Sequence, residues 1–277
     1  MENQETCGLS PFMKLAAIPV PISKVEGQTS SRADDLLAVE EPLEIRLGEQ
    51  SLSITMRTPG NDFELASGFL FSEGIIRDIT QIRSIESGPQ NVVIVNLDEE
   101  SAALVQPRRN FLMTSACGVC GKASLEDLEA NACPVLPADK IQIEPAILHR
   151  LPDRLREAQS VFDRTGGLHA AALFSLNGEL ELLREDIGRH NAVDKLIGAA
   201  LAGHRMPLNK SLLLVSGRAS FELVQKALMA RIPIMAAVGA PSSLAVGTAL
   251  RSGMTLIGFL RNGRFNIYSG RRRILTN

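Results

Sequence analysis

The chain has 277 residues, 29 Lys and Arg against 31 Asp and Glu, and a net charge of −2, with 45% of its side chains hydrophobic and 22% charged. That length carries one large domain or two small ones, and the near balance of charge implies no basic face for nucleic acid. One Tyr and no Trp leave little to stack on single-stranded bases, and four cysteines are too few for a disulfide framework.

Met1-Glu-Asn-Gln-Glu-Thr6 has no basic stretch ahead of an apolar core, so no secretory signal is expected. No run of about 18 apolar residues follows, so no membrane span is expected and the protein is read as cytoplasmic. Residues 1–30 are rich in Ser, Pro, Gly and Gln and predict a flexible arm. Residues 43–47 and 51–56 alternate apolar and polar side chains across a Gly-containing turn, which is a hairpin pattern. Asn61 and Asp62 can cap a helix over 63–70 that stops at Gly74, and 91–97 predicts a third strand. Residues 31–106 thereby form a small α+β domain.

Residues 107–140 are broken up by Pro107, Gly118, Gly121, Pro134 and Pro137, predicting a mobile loop with at most a short helix near 124–128. From 141 to 277 the pattern changes. An amphipathic helix over 145–162 precedes strands at 169–175 and 179–183, and a helix spans 191–201. Apolar strands at 211–216 and 232–238 are each followed by a helix, at 221–230 and 242–251, and the chain ends on strands at 255–260 and 264–268. Continuous apolar strands alternating with helices predict an α/β domain whose sheet is covered on both faces.

The sharpest chemical feature is Cys117-Gly-Val-Cys120. In a reducing compartment, two thiols at this spacing share a metal, close a small disulfide, or act as a nucleophile and its resolving partner. A structural zinc site would draw on Cys133 and a His, but such sites usually show two ligand pairs and this chain has one. A thioredoxin-like pair would open a helix after a strand, whereas these flanks are rich in Pro and Gly.

Thr165-Gly-Gly-Leu-His169 allows close backbone approach to a ligand, with a satisfied core histidine as the alternative. Zinc deaminases place a Glu two residues after the ligating His and a C-x-x-C later in the chain. Here Ala171 occupies the Glu position and the cysteines come first, which fits a deaminase scaffold but not its proton shuttle. The stretch 185–195 crowds ionisable groups around Gly188. Arg189 and Lys195 suit a phosphate or a carboxylate, and Asp186 or Asp194 can orient His190, against the alternative of a solvated helix start. The turns 215–222 and 238–244 lie beyond strand ends, where helix N-termini offer N–H groups to anions, and they set Arg218, Ser220, Ser242 and Ser243 for that work. Neither turn matches a nucleotide-hydrolysing phosphate loop or a dinucleotide fingerprint. Phe259-Leu260-Arg261-Asn262-Gly263-Arg264 reads as a turn with two guanidinium groups, or as an ordinary polar hairpin. Arg271, Arg272 and Arg273 read as a solubilising end.

Several motifs, in order along the chain, resemble the formate dehydrogenase accessory protein family of sulfurtransferases, from about residue 40 to the C-terminus. They are Gly68-Phe-Leu70 with Glu73-Gly-Ile-Ile76, Cys117-Gly-Val-Cys120, Thr165-Gly-Gly-Leu-His-Ala-Ala171 and the run from Glu185 to Lys195. To these add Ser216-Gly-Arg-Ala-Ser-Phe-Glu222, Ala240-Pro-Ser-Ser-Leu-Ala245, and Thr255-Leu-Ile-Gly-Phe259 with Arg264. The resemblance implies a sulfur carrier required for formate dehydrogenase activity. It would take persulfide sulfur from a cysteine desulfurase and pass it to the molybdenum or tungsten of a bis-pterin guanine dinucleotide cofactor, before insertion into the formate dehydrogenase apoenzyme. Cys117 is then the persulfide carrier and Cys120 its partner, with Lys122 favouring the thiolate. Residues 259–264 would contact molybdenum bis(molybdopterin guanine dinucleotide), which guanine nucleotides would mimic. His169, Arg189, Arg218, Ser220, Ser242 and Ser243 are the further candidates for that ligand, and no residue is expected to hold a resident metal. The resemblance also implies a cytidine-deaminase-like, three-layer C-terminal domain and a homodimer, with no nucleic acid and no membrane as partner. Two alternatives stand beside it: a zinc-dependent deaminase-like hydrolase, and a cofactor-binding chaperone without sulfur chemistry.

Overall fold

A computed structural model describes residues 15–104 and 133–275, so Cys117, Cys120 and the helix expected near 124–128 lie outside the described residues. The described fold is mixed α/β with three sheets. β1 (Ala17–Glu26) and β2 (Thr29–Ala38) pair antiparallel along their whole length, through a turn at Gly27 with φ 63°. A strand thus stands where composition predicted a flexible arm up to residue 30. Ser, Asp and Lys interrupt the apolar alternation there, so the period-2 signal is weak, and the hairpin is exposed over much of its surface.

β3 (Glu41–Leu47) and β4 (Gln50–Arg57) form the hairpin that alternation predicted. β6 (Val92–Leu97) pairs parallel with β3, and β5 (Ile82–Ser87), which the sequence did not announce, pairs with β6 to give the order β4-β3-β6-β5. α1 (Asp62–Ser72) follows β4, but Asn61 does not cap it with its side chain and sits at φ 57°. Asp62 instead pairs with the buried Arg57 at 2.8 Å. All eight residues from Leu65 to Ser72 are buried, the mark of a helix covered on every side. A short helix, α2 (Glu99–Leu104), closes this unit.

α3 (Pro145–Ala158) and α4 (Ser160–Thr165) replace the single helix expected over 145–162, because Gln159 leaves the helical region at ψ 76°. Next come β7 (His169–Ser175), β8 (Leu180–Asp186) and α5 (Arg189–Ala202). β9 (Ser211–Val215), α6 (Phe221–Met229), β10 (Ile234–Ala237), α7 (Ser243–Ser252) and β11 (Thr255–Arg261) then alternate, and β12 (Arg264–Ser269) ends the sheet. The strand order is β12-β11-β10-β9-β7-β8, with β9, β10 and β11 parallel. Alternate residues divide between two cores. Leu213, Val215, Met235 and Ala237 face α1, α5 and α6, while Leu212, Leu214, Ile234 and Ala236 face Leu148, Leu151 and Leu155 of α3. The sheet is therefore a middle layer between helices. Arg273, expected in a solvated tail, is wholly buried and pairs with Asp139 at 2.6 Å.

The first core also contains Leu43, Ile45, Val93 and Val95, so one apolar cluster runs through both units. Its seam is the crossing of α1 on α5. A Cβ on Gly68 would overlap the carbonyl oxygen of Asp194, and one on Gly198 would overlap that of Glu64. Among the described residues, no helix is long and apolar enough to cross a membrane.

Gly68→Ala should cost about 3 kcal/mol or more, because the clash is with backbone and cannot rotate away. Gly203→Ala, whose Cβ would approach nothing closer than 3.4 Å, should change stability by no more than about 0.5 kcal/mol. Chemical denaturation of both variants checks this, and equal losses would refute the seam.

Candidate functional site at the strand ends

β9, β10 and β11 run in the same direction; the carboxyl ends of β9 and β10 extend into the turns that precede α6 and α7, and that of β11 into the turn to β12. Gly239 N–H donates to Gly217 O at 2.9 Å, Ala219 N–H to Ala240 O at 3.1 Å, and Phe259 N–H to Gly239 O at 3.0 Å. The ladder thus continues beyond the named strands and stiffens the rim. Gly217 leaves room for the His169 ring, whose Nδ1 would lie 3.3 Å from an added Cβ. A Cβ on Gly239 would meet Gly217 O at 3.0 Å and the Arg218 side chain at 3.2 Å. These two glycines are what allow a histidine and an arginine to lie close over the strand ends.

The second wall comes from β8 and the start of α5. Asp186 is wholly buried, and its carboxylate accepts from Lys195 Nζ at 2.7 Å, Gly188 N at 2.8 Å, Thr58 N at 3.1 Å and Asn191 Nδ2 at 3.1 Å. Lys195 also donates to Thr58 O at 2.8 Å, and Asn191 to Met56 O at 2.7 Å. The end of β4 is thereby tied to the N-terminus of α5, which carries Arg189 and His190. Asp194, a candidate to orient His190, turns instead to Ser72 and Lys226, at 2.8 and 2.9 Å.

His190 is buried, with Nε2 3.3 Å from Ser220 Oγ and 3.8 Å from a Glu222 carboxylate oxygen. Burial alone would raise the Glu222 carboxyl. His190, the residue's own backbone N–H at the start of α6 and Ser220 outweigh it and bring the pKa down to about 2. His169 moves below its ordinary value, first through burial and then through the positive charges of Arg189 and His190, against a smaller pull from Asp186. Arg189 Nε is buried and has no hydrogen-bond partner among the described residues. That orphaned donor, beside a neutral imidazole and two helix N-termini, fits an anionic ligand.

The structure brings His169, Arg189, Arg218 and Ser220 to one rim, with Phe259 tied to it through Gly239. Other candidates lie differently. Ser242 is occupied in capping α7, accepting from Ala245 N at 3.2 Å, and Ser243 is exposed beside it. Leu260 is fully buried in the core under α3, so its side chain does not reach a ligand. Asn262 and Gly263 form the tight turn between β11 and β12, both with positive φ, and Arg261 lies over the Phe259 ring at 5.7 Å. Arg264 borders a groove with His149 and Phe265. Ala171, at the position where deaminases carry Glu, is wholly buried in the first core. Sequence reasoning missed Glu222 and Thr58. The first reads as an ordinary helix-start acid, and the second acts through its backbone.

Comparison with known proteins gives one direction. The model of the FdhD/NarQ family matches residues 38–275. A Streptomyces avermitilis protein named sulfur carrier protein FdhD is 53% identical over 263 residues, covering 90% of this chain and 92% of its own. A Sulfurisphaera tokodaii protein of the same name is 45% identical, covering 92% and 98%. The crystal structure of a Desulfotalea psychrophila protein, described as a formate dehydrogenase accessory protein, superposes with a TM-score of 0.76 at 28% identity, covering 94% of this chain and 100% of its own.

Two measurements test the site's electrostatics. Lys195→Met leaves the Asp186 charge buried and unpaired, and should cost about 3–5 kcal/mol in denaturant unfolding. Arg189→Ala should raise the His169 pKa towards 6.5 in an NMR titration, since it removes a cation that opposes protonation; an unchanged value would contradict the assignment. Because the unfolded chain takes up this proton first, His169 makes stability rise with pH between its depressed folded value and 6.5.

Proposed function

The chain belongs to the FdhD/NarQ family, and we propose that it is a sulfur carrier for formate dehydrogenase maturation. It would receive persulfide sulfur on Cys117 from a cysteine desulfurase and deliver it to the molybdenum or tungsten of a bis(molybdopterin guanine dinucleotide) cofactor. The observation that carries this reading is the identity of 53% over nearly the whole chain with a protein named as a sulfur carrier, together with the Cys117-Gly-Val-Cys120 pair. The α/β unit is read as a cytidine-deaminase-like scaffold, and the protein as a cytoplasmic homodimer.

The transfer balances without an outside reductant. A Cys117 thiolate attacks the outer sulfur of the desulfurase persulfide, forming a new S–S bond and releasing the desulfurase thiolate. Cys120 then attacks the Cys117 sulfur and closes a disulfide, while the terminal sulfur leaves as hydrosulfide towards the metal. The two thiols supply the two electrons that reduce sulfane sulfur to sulfide. The cofactor is cargo in this scheme, and its guanosine diphosphate groups need anion sites. Arg189, with its unsatisfied buried Nε, supports such a site, as do Arg218 over Gly239 and the N-terminus of α6 beside Ser220. His169 would offer a neutral imidazole there, and the turn 259–264 would add Phe259, Arg261, Asn262, Gly263 and Arg264.

Incubation with a desulfurase and cysteine should add one sulfur atom to the intact mass, and the Cys117→Ala, Cys120→Ala double variant should gain none. An adduct that persists in the double variant, or none on the natural chain, defeats the carrier role. Formate dehydrogenase matured normally by the thiol-free variant would leave only a chaperone. In isothermal titration, Arg189→Ala and Arg218→Ala should each weaken guanosine diphosphate binding about tenfold, the scale of one charge-assisted hydrogen bond.

A further inference from the structure

β1 and β2 form a sheet of their own, and no other described strand pairs with either. A two-stranded hairpin is marginal in water unless another element adds to it. This one meets the body at its base, where a Cβ on Gly167 would lie 3.4 Å from that of Ala38. Further out, Thr29 to Asp35 are exposed except for the half-buried Ala33. A hollow of about 490 Å³ opens at mid-hairpin, with Arg32, Ala33 and Asp34 on its lining.

The two edges of the hairpin differ. Val39 N–H donates to Ala16 O at 2.9 Å, one step beyond the pairing of Ala17 with Ala38, which fixes the alternation of inward and outward backbone groups. The odd-numbered residues of β2 turn their N–H and C=O towards β1, and Ser30, Arg32, Asp34 and Leu36 turn theirs away. Leu36 agrees with this, since its N–H donates to the Asp35 carboxylate at 2.9 Å. On β1 the outward positions include Pro19 and Pro21, which have no N–H to offer. The β1 edge is thereby closed and the β2 edge is open.

The charges on the open edge suit a copy of itself. Arg32 and Asp34 are exposed and have no ion-pair partner among the described residues, whereas Lys24 and Glu26 near the tip pair with each other at 2.7 Å. If β2 meets a second β2 antiparallel, outward residues must oppose outward residues, so the two-fold axis falls on a residue and not between two. An axis at Arg32 sets arginine against arginine, and an axis at Asp34 or Asp35 sets aspartate against aspartate. An axis at Ser31 forms no ion pair. An axis at Ala33 sets Arg32 opposite the partner's Asp34, twice by symmetry, and Ser31 opposite the partner's Asp35. It also leaves a small alanine facing its own copy where the strands come closest.

We propose that the β2 edge joins the same edge of a second copy, antiparallel about an axis at Ala33, to make a four-stranded sheet across a homodimer. The two bodies then stand at opposite ends of the joined strands, with their Ala38 residues about 34 Å apart. The proposal rests on the homodimer reading and supplies its interface, and it uses neither Cys117 nor Cys120.

Sedimentation velocity of the full-length protein should show a dimer. Arg32→Asp and Asp34→Arg should each raise its dissociation constant at least about tenfold, because each sets like charges face to face. The combined Arg32→Asp, Asp34→Arg variant should bring it back to within about threefold of the natural value. A second measurement does not depend on those variants. Mild oxidation of Ala33→Cys should link two chains through position 33, which this register brings within disulfide reach, and Ser23→Cys on the closed edge should form no such link. Linked peptides identified by mass read this directly. A dimer untouched by the single charge changes, no recovery in the combined variant, or no link at position 33 would overturn this interface while the homodimer reading stands. A natural chain that sediments as a monomer would overturn both. The sulfur-adduct assay is independent of either result.

Discussion

Asp186 ends β8 with a carboxylate that is shut away from water and yet fully engaged, by Lys195, by two backbone N–H groups and by Asn191. A carboxylate buried without partners would cost several kcal/mol, so this one is tolerated only while all of its partners stay in place. Those partners come from three places in the chain: the end of β4, the turn into α5 and the first two turns of α5 itself. The carboxylate therefore sets the direction in which α5 begins. Arg189 and His190 are the first two residues of that helix, and their approach to His169 and Ser220 follows from it.

The arrangement needs the β4–α1 link to lie close to α5, and the two glycines at the helix crossing supply the proximity. With Gly68 against Asp194 and Gly198 against Glu64, α1 and α5 approach to backbone contact, which carries Thr58 to Asp186. A second buried pair locks the far side of the same seam. Lys226 reaches Asp194, Ser72 donates to Asp194, and Glu73 lies 3.7 Å from Lys226. Burial would depress the Lys226 ammonium, but the two carboxylates hold it above its ordinary value, while burial raises the Asp194 carboxyl against the pull of Lys226 and Ser72. Two units that look separable along the chain thus share one core, and Thr58, Ser72 and Glu73 of the smaller one complete two ion pairs buried in the larger. The small α+β unit supplies the backbone that completes the rim of the larger one.

Much of this was legible in the sequence because the signals are local. The apolar runs at 211–216 and 232–238, the alternation at 43–56 and the glycines near 217 and 239 announce strands and their turns directly. Motifs in order identified the family, which no single element could have done. What stayed hidden depends on distant partners. Lys195 looked like a phosphate ligand because its spacing from Arg189 puts both near a helix start, whereas tertiary folding turns it onto Asp186. Leu260 sat inside a polar turn motif, but strand alternation points it into the core. The β1–β2 hairpin lacks a buried face, and without one there is no period for a sequence to display.

The rim's electrostatic character shows in two groups that its surroundings shift, Glu222 and His169. Glu222 remains ionised at any pH above about 2, and its charge is directed at His190 rather than outward. His169 is held neutral by burial and by Arg189, so it adds no charge of its own and can still donate or accept a proton through one ring nitrogen. Arg189 and Arg218 bring two guanidinium groups to the same rim. The groups over the strand ends are therefore fixed in place by glycine turns and a buried carboxylate. A histidine held below its ordinary pKa beside the Arg189 guanidinium, whose buried Nε has no hydrogen-bond partner among the described residues, is a pairing that the buried carboxylate of Asp186 makes possible.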